Sequence, residues 1–206
     1  MIGLNEFIDG LYTGKGHDAV KWFDMLVRKH PGTYHHSIRV AILAEKIAEP
    51  LGISGTEKEL LIRGCFMHDI GKTMVPREII EQSEPLTDQQ WNIVKLHPVV
   101  GAELVQENPA FGEEIVAIVR SHHERWDGAG YPDGLKEEEI PYAARICAVV
   151  DAFDSMTSDR NYRERRLTMM EAKEELLRCQ GTQFDPKVVE ALMQLPDDML
   201  NIYSTK

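Results

Sequence analysis

The sequence predicts an all-α protein of about seven or more helices. Nearly every segment places apolar residues three and four positions apart, whereas no segment shows the strict alternation of a half-buried strand. Proline and glycine residues separate these segments at short intervals. The chain has 206 residues, of which 43% are hydrophobic, and this is enough to bury one substantial core. We therefore expect a single compact helical domain.

The first three predicted helices have recognisable start and stop signals. HDAVKWFDMLVRKH is expected to end at the Pro31-Gly32 pair. HHSIRVAILAEKIAEPLG follows and is closed by its own proline and glycine. TEKELLIRGCFMHDIG opens with Thr56 and has Glu59 three residues later, the spacing of a capping box. This spacing predicts a helix that starts at Thr56.

The rest of the chain continues the helical pattern. LTDQQWNIVKLHPVVGAELV is predicted to form two helices that meet at His97-Pro98, because the residue before a proline disfavours helical geometry. GEEIVAIVRSHHE is expected to end at the turn DGAGYPDG. A long, nearly apolar helix follows from Ile140 to Met156 and is begun by Pro141. The last two predicted helices are MMEAKEELLRCQG and DPKVVEALMQL.

The composition limits the classes of binding partner and the cellular compartment that we expect. The formal net charge of −11 argues against DNA or RNA polymers, whose binding needs a basic face. No apolar run is long enough to span a membrane, and the N-terminus lacks the pattern of a signal peptide. Cys65, Cys147 and Cys179 lie in apolar helical patterns and are expected to be reduced core thiols. These features predict a cytoplasmic protein.

Seven residues of metal-ligand type interrupt the apolar stripes of five predicted helices. Residues three and four positions apart share a helix face, and His36 is in phase with Val40 and Leu43 in this way. The same test places the others on buried faces. The seven residues are His36, His68, Asp69, His97, His122, His123 and Asp151.

Any one of these residues could be an ordinary core histidine bonded to a backbone carbonyl, or an aspartate that caps a helix. For the whole set that explanation fails, because each buried polar group would need its own partner or would destabilise the fold. One shared partner satisfies them all. Neutral imidazole and ionised carboxylate are ligands for iron, manganese, zinc or nickel, so the pattern predicts a buried centre of divalent metal ions.

Four motifs resemble the HD-GYP family, the helical metal-dependent phosphodiesterases of the HD superfamily that act on the bacterial messenger cyclic di-GMP. The motifs occur in the order of the family and extend the resemblance from about His36 to Val188. HD alone is shared by a large superfamily, whereas its combination with HHExxDGxGYP is highly specific. The motifs are HDIGK at 68–72, HPVVG at 97–101, HHERWDGAGYP at 122–132 and DAFDSMTSDRNYR at 151–163.

The resemblance implies roles for particular residues. It makes the seven residues named above the metal ligands, with Asp69 as a catalytic carboxylate that bridges two ions. Lys72 would act in catalysis and contact a substrate phosphate, although a lysine near a helix C-terminus is also favoured by the helix dipole. Arg160 and Arg163 would bind phosphate through their planar forks. We place the phosphodiesterase domain at residues 31–206, after a helical lead-in at residues 1–30.

The resemblance also implies a reaction. Cyclic di-GMP would be hydrolysed to the linear dinucleotide pGpG, with a further cut to GMP left open, by a hydroxide held between two metal ions. Some family members hold a third ion through a glutamate four residues before the first histidine ligand. That position is Gly32 here, which has no side chain to coordinate, so we expect two ions, with iron or manganese preferred and zinc or nickel as alternatives.

Other readings stay open at this point. The chain could be an HD-superfamily phosphohydrolase for a nucleotide or another cyclic dinucleotide such as cyclic GMP-AMP. It could be a silent module that binds the messenger or a diguanylate cyclase, with the GYP loop as the partner surface. A di-iron oxygenase is a third reading, which the arginine cluster disfavours. Glu124 and Asp127 are expected to orient the histidines or to shape the loop, and Arg165 and Arg166 to be surface charges.

Overall fold

The computed structural model describes residues 17–108, 111–158 and 165–202. Within these ranges the chain forms α-helices, two 3₁₀ helices (Ile70–Met74 and Glu137–Glu139) and no β-strand, which confirms the all-α prediction. The α-helices are α1 (His17–Lys29), α2 (Pro31–Ile47), α3 (Gly55–Met67), α4 (Arg77–Ile80), α5 (Asp88–Val94), α6 (His97–Gln106), α7 (Gly112–Ser121), α8 (Tyr142–Thr157), α9 (Met169–Arg178), α10 (Pro186–Met193) and α11 (Asp197–Leu200).

Some helix ends differ from the predictions. Pro31 and Gly32 separate two helices, but they form the first turn of α2, where the missing N–H of proline is tolerated. The predicted capping box at Thr56 is wrong, because α3 already begins at Gly55 and Thr56 lies inside its first turn. Helix α7 ends at Ser121, so the histidines that follow it lie beyond the helix.

The core consists of two main apolar clusters, and α3 contributes to both. Leu61 and Cys65 face a cluster formed with α2, α8, α9 and α10. Ile62 and Phe66 face the other, where the ring of Phe66 stacks on Phe23 of α1 at 4.9 Å. Helix α1 therefore packs directly on the core. The division into a lead-in at residues 1–30 and a domain at 31–206 stays a prediction.

The first 3₁₀ helix packs unusually close to α6. A Cβ atom at Gly71 would lie 2.0 Å from the carbonyl oxygen of His97 and 2.6 Å from the amide nitrogen of Gly101. Only glycine fits in such a space. Because Gly71 is two residues after Asp69, this contact brings the carboxylate of Asp69 next to the start of α6.

The cysteines and the helix lengths can be compared with what the sequence predicted about thiols and membrane spans. Cys65 and Cys147 are buried, Cys179 is half-buried, and all three are free. In the described ranges, every helix falls short of the length and hydropathy that crossing a bilayer requires.

Candidate metal centre

The seven predicted ligands lie in one cluster, although they come from five places in the chain. The cluster forms where α3, α6 and α7 begin or end beside the middle of α2 and α8. His123 and Asp151 are half-buried and the other five are buried. The positions are His36 in α2, His68 and Asp69 directly after α3, His97 at the start of α6, His122 and His123 directly after α7, and Asp151 in α8.

The Asp69 carboxylate lies at the centre of this cluster. Its Oδ1 is 3.2 Å from Nε2 of His97 and 3.9 Å from Nε2 of His122. Its Oδ2 is 3.4 Å from Nε2 of His68 and 3.8 Å from Nε2 of His36. The two oxygens of one carboxylate thus face two different pairs of imidazoles.

Two groups of donors are compact enough to hold a metal ion, and both include Asp69. In each group the ligand atoms lie within 4.8 Å of one another. Asp151 belongs to neither group, but its Oδ1 is 2.9 Å from Nε2 of His36 and 4.0 Å from Nε2 of His68. The groups are Asp69, His97, His122 and His123, and His36, His68 and Asp69.

Local hydrogen bonds fix the orientation of three of the histidines. The Nδ1 atoms of His68, His97 and His122 each lie 2.7 Å from the backbone carbonyl oxygen three residues earlier. Because a carbonyl can only accept, each Nδ1 carries a proton, and Nε2 is the ring nitrogen that faces the cluster. This is the tautomer that binds a metal through Nε2.

The atoms at the centre of the cluster lack suitable partners within the described chain. Nε2 of His97 and Nε2 of His122 face each other at 3.1 Å, although neither neutral ring has a proton there to share. Nε2 of His68 and Oδ1 of Asp69 are buried without a hydrogen bond to a described residue. Buried lone pairs that converge in this way cost stability unless a cation is present. The donor set therefore fits divalent metal ions.

The protonation preferences support the same interpretation. Burial, reinforced by neighbouring imidazoles, holds the pKa of His122 well below its usual range and lowers that of His123 to about 3. Burial opposes ionisation of Asp69 as well, but Lys72 and His68 hold the pKa of this carboxyl well below its usual range. Burial also disfavours the charged form of His68, yet the carboxylates of Asp69 and Asp151 raise its pKa to about 9. Positive charge is favoured at this position, and a bound cation supplies it.

Asp154 orients His36 and was not predicted from the sequence. Its Oδ2 accepts a 2.6 Å hydrogen bond from Nδ1 of His36, which turns Nε2 of that ring toward the cluster. Arg39 holds the same carboxylate with two bonds of 2.7 and 3.0 Å, and the Ser158 hydroxyl donates a third. Carboxylates behind a ligating histidine raise its basicity and fix its direction. The phase test could have found Asp154, because it lies four residues after Val150 on the buried face of α8.

A comparison with family models identifies the fold. A model described as the HD domain matches residues 22–188. The chain belongs to the HD-domain family. Its HD and GYP motifs, together with the names of its relatives, place it among the HD-GYP proteins, as the sequence predicted.

Curated proteins similar in sequence to this chain are named as phosphodiesterases for cyclic dinucleotides. The chain is 37% identical over 172 residues to a cyclic di-GMP phosphodiesterase of Thermotoga maritima, covering 83% of this chain and 46% of the relative. It is 33% identical to the 3'3'-cGAMP-specific phosphodiesterase 2 of Vibrio cholerae, covering 81% of this chain and 32% of the relative. The HD-domain chain therefore spans less than half the length of these two curated relatives.

A solved structure supports the fold over most of the chain. The HD domain of the L. monocytogenes phosphodiesterase PgpH, in complex with cyclic di-AMP, superposes with a TM-score of 0.62 at 28% identity. The match covers 90% of this HD-domain chain and 98% of that one.

The GYP loop of this HD-GYP chain is anchored by hydrogen bonds beside the predicted ligands. The buried carboxylate of Glu124 accepts three backbone N–H bonds, from Asp133, Gly134 and Leu135, at 2.7 to 3.1 Å. A Cβ atom at Gly130 would lie 2.4 Å from the amide nitrogen of Arg125, so this position also requires glycine. Glu124 thus has the loop-forming role, one of the two roles expected for it.

Other charged residues near the HD-GYP motifs have local partners. Asp127 forms a two-bond ion pair with Arg125 and accepts the N–H of Ala129, which is again a loop-forming role. Arg165 is exposed and binds Glu171, and Arg166 is exposed, in line with their expected surface roles. The predicted phosphate contacts Arg160 and Arg163 lie outside the described residues.

A cavity of about 550 Å³ opens over the ligand cluster. This volume falls within the range of small-molecule sites. Lys72 lies on the cavity wall with 19% of its side chain exposed, and its Nζ is 2.6 Å from Oδ2 of Asp69. Tyr131 of the GYP loop is also on the wall and stacks on His123 at 4.9 Å. The predicted ligands, the Lys72 ammonium group and the GYP loop therefore meet at one opening.

Proposed function

We propose that this HD-GYP chain is a metal-dependent phosphodiesterase that hydrolyses cyclic di-GMP to pGpG. The observation that carries the proposal is the cavity, because its floor combines imidazole and carboxylate donors with the Lys72 ammonium. The names of the relatives support a cyclic dinucleotide as the substrate. The proposed metal ligands are His36, His68, Asp69, His97, His122, His123 and Asp151.

The residues divide the chemistry between them. Divalent ions held by these ligands supply Lewis acidity, which lowers the pKa of water and stabilises charge on phosphoryl oxygens. Asp69 contributes one oxygen to each donor group and so serves as the shared carboxylate. Lys72 has three N–H donors, of which one contacts Asp69, and the others can reach a phosphate oxygen in the cavity. The GYP loop fixes the side of the cavity next to His123.

We propose two ions per chain, with iron or manganese as the metal. A mixed set of imidazole and carboxylate donors suits iron and manganese, and zinc and nickel are the alternatives because they also bind imidazole. Gly32 is in the exposed first turn of α2 and offers no side-chain donor for a third ion. Elemental analysis of iron-loaded and manganese-loaded protein tests this, and three ions per chain would contradict the reading of Gly32.

The direct test is hydrolysis of cyclic di-GMP by the manganese-loaded or iron-loaded protein. We expect pGpG by chromatography, and the appearance of GMP would show a second cleavage. Cyclic GMP-AMP should be assayed in parallel, because one relative is named for it. Tight binding of the messenger without any product would reject the enzyme and favour a silent binding module. Oxygen consumption with an organic co-substrate, in place of hydrolysis, would favour the oxygenase.

Replacement of Lys72 with alanine is expected to lower kcat/KM for cyclic di-GMP about tenfold, because one charged donor to the phosphoryl oxygens is lost. Lys72→Arg keeps the charge and should recover part of the rate. The matched control is Arg166→Ala, an exposed cation outside the cavity, which should change little. Metal content is measured in each variant. If kcat/KM is unchanged in Lys72→Ala, Lys72 does not act on the substrate and its role is limited to its contact with Asp69.

A diguanylate cyclase partner at the GYP loop stays a prediction. The part-exposed tip of the loop around Ala129 and Tyr131 is where such a partner would bind. Co-purification of the two proteins, with and without Tyr131→Ala, tests it.

A further inference from the structure

An aromatic wall extends from the ligand cluster to the rim of the cavity. The ring of Tyr131 stacks on the ligand His123, and the ring of Trp91 in α5 stands perpendicular to Tyr131 with 6.5 Å between centroids. Trp91 lines the cavity, yet 42% of it is exposed. A large aromatic surface left open in the cavity is suited to cover a flat, aromatic part of a ligand.

Lys95 contacts both rings of this aromatic wall from outside the cavity. Its Nζ lies 5.6 Å from the ring centroid of Trp91 and 5.5 Å from that of Tyr131, which is within cation–π range of both rings. Lys95 itself is not among the residues that line the cavity. The wall is therefore held in place before any ligand binds, which lowers the entropic cost of stacking against it.

Glu84 puts a negative charge at the same rim. Three side chains on the cavity wall are normally charged: Lys72 and Asp151 belong to the ligand cluster, whereas Glu84 belongs to the outer wall. Its carboxylate forms no ion pair with a described residue. An unpaired carboxylate repels the phosphates of an anionic substrate. It therefore weakens binding unless it accepts hydrogen bonds from N–H groups of that substrate.

The backbone around Glu84 is well anchored. Its carbonyl oxygen accepts a 3.0 Å bond from the side chain of Gln82, and Gln82 in turn accepts a 3.0 Å bond from Gln90. Gln90 also closes the capping box of α5 with Thr87, one residue before Trp91. The position of Glu84 is thus tied to the helix that carries Trp91.

We propose that Trp91 and Glu84 form a subsite for a guanine base of the cyclic dinucleotide. Trp91 stacks on the base, and Glu84 accepts the two adjacent N–H donors on its Watson–Crick edge. Adenine presents one donor beside an acceptor nitrogen on that edge, which a carboxylate cannot satisfy in the same way. The subsite therefore makes the enzyme prefer guanine. This inference rests on the proposed function, since it assigns part of the same cavity.

The test measures binding by the metal-loaded protein of phosphorothioate analogues of cyclic di-GMP and cyclic di-AMP, which resist hydrolysis. Calorimetry gives the Kd for each analogue, and kcat/KM for cyclic di-GMP is measured alongside. Glu84→Gln and Trp91→Ala are compared with Trp91→Phe, which keeps an aromatic face. Glu78→Gln and Ile93→Ala are controls, because both residues are exposed in the adjoining helices and neither lines the cavity.

We expect Glu84→Gln to weaken binding of the cyclic di-GMP analogue about tenfold while changing that of the cyclic di-AMP analogue less than about twofold. Trp91→Ala should weaken both about tenfold, and Trp91→Phe should recover most of the loss. If Glu84→Gln weakens the binding of both analogues equally, Glu84 does not select guanine. If Trp91→Ala leaves the Kd of both analogues unchanged, Trp91 does not stack on the base. If the wild-type protein hydrolyses cyclic di-GMP while these variants behave like it, only the subsite fails. If it neither binds nor hydrolyses the messenger, the proposed function fails with it.

Discussion

Replacement of Asp69 with alanine is expected to remove both metal ions and to lower kcat/KM for cyclic di-GMP on the order of a thousandfold or more. The physical reason is that Asp69 is the member common to both donor groups. Without its carboxylate, one group keeps only the imidazoles of three histidines, and the other keeps two imidazoles with Asp151 as the remaining carboxylate nearby. Neither group then has a carboxylate shared with the other. Metal content by elemental analysis and turnover by chromatography measure the two losses.

Single histidine variants show whether the two donor groups act separately. His68→Ala and His123→Ala each remove a ligand from only one group, so each is expected to lose mainly one ion. Turnover should still collapse in both, because two-metal hydrolysis needs both positions. His35→Ala is the matched control: His35 is adjacent to His36 in sequence but is exposed. Asp69→Ala protein that retains two ions per chain would refute the shared-carboxylate role.

The sequence predicts most of the ligand cluster because a buried polar residue leaves a trace in helical periodicity. His36 and Asp151 lie within α2 and α8, where the phase of neighbouring apolar residues shows directly which way each side chain points. His68, His97 and His122 lie at helix ends, and each bonds the carbonyl three residues earlier. The phase therefore extends one residue past α3 and α7, and three residues past α5 to His97. These positions could therefore be read before the fold was known.

Features that depend on contacts between distant segments could not be predicted in this way. The packing of Gly71 against the backbone of His97 fixes where Asp69 lies, and neither motif encodes that contact. The cavity wall around Glu84 and Trp91 needs the placement of α5, whose sequence shows no ligand pattern. His30 illustrates the ordinary alternative for a buried histidine, because its Nε2 lies 3.2 Å from the carbonyl oxygen of Val75, away from the cluster.

Asp154→Ala is expected to weaken metal binding by up to about a hundredfold, although Asp154 belongs to neither compact donor group. Loss of the 2.6 Å bond to Nδ1 of His36 frees the imidazole to rotate and lowers its basicity. The contact with Arg39 is lost as well, so the free energy of unfolding should fall by about 2 kcal/mol. Asp154→Asn keeps an oxygen that can accept from Nδ1 and should recover part of the metal affinity.

A second buried aspartate separates this positioning role from general destabilisation. Asp185 also pairs with an arginine, through a 2.7 Å bond from Arg145, and caps α10 by accepting the N–H of Lys187. Asp185→Ala should therefore lower Tm about as much as Asp154→Ala while leaving the metal affinity of the folded protein unchanged. Metal titration at a temperature where both variants are folded distinguishes the two effects. Equal metal affinities in the two variants would mean that Asp154 supports only the fold, and that His36 is held in position by its packing alone.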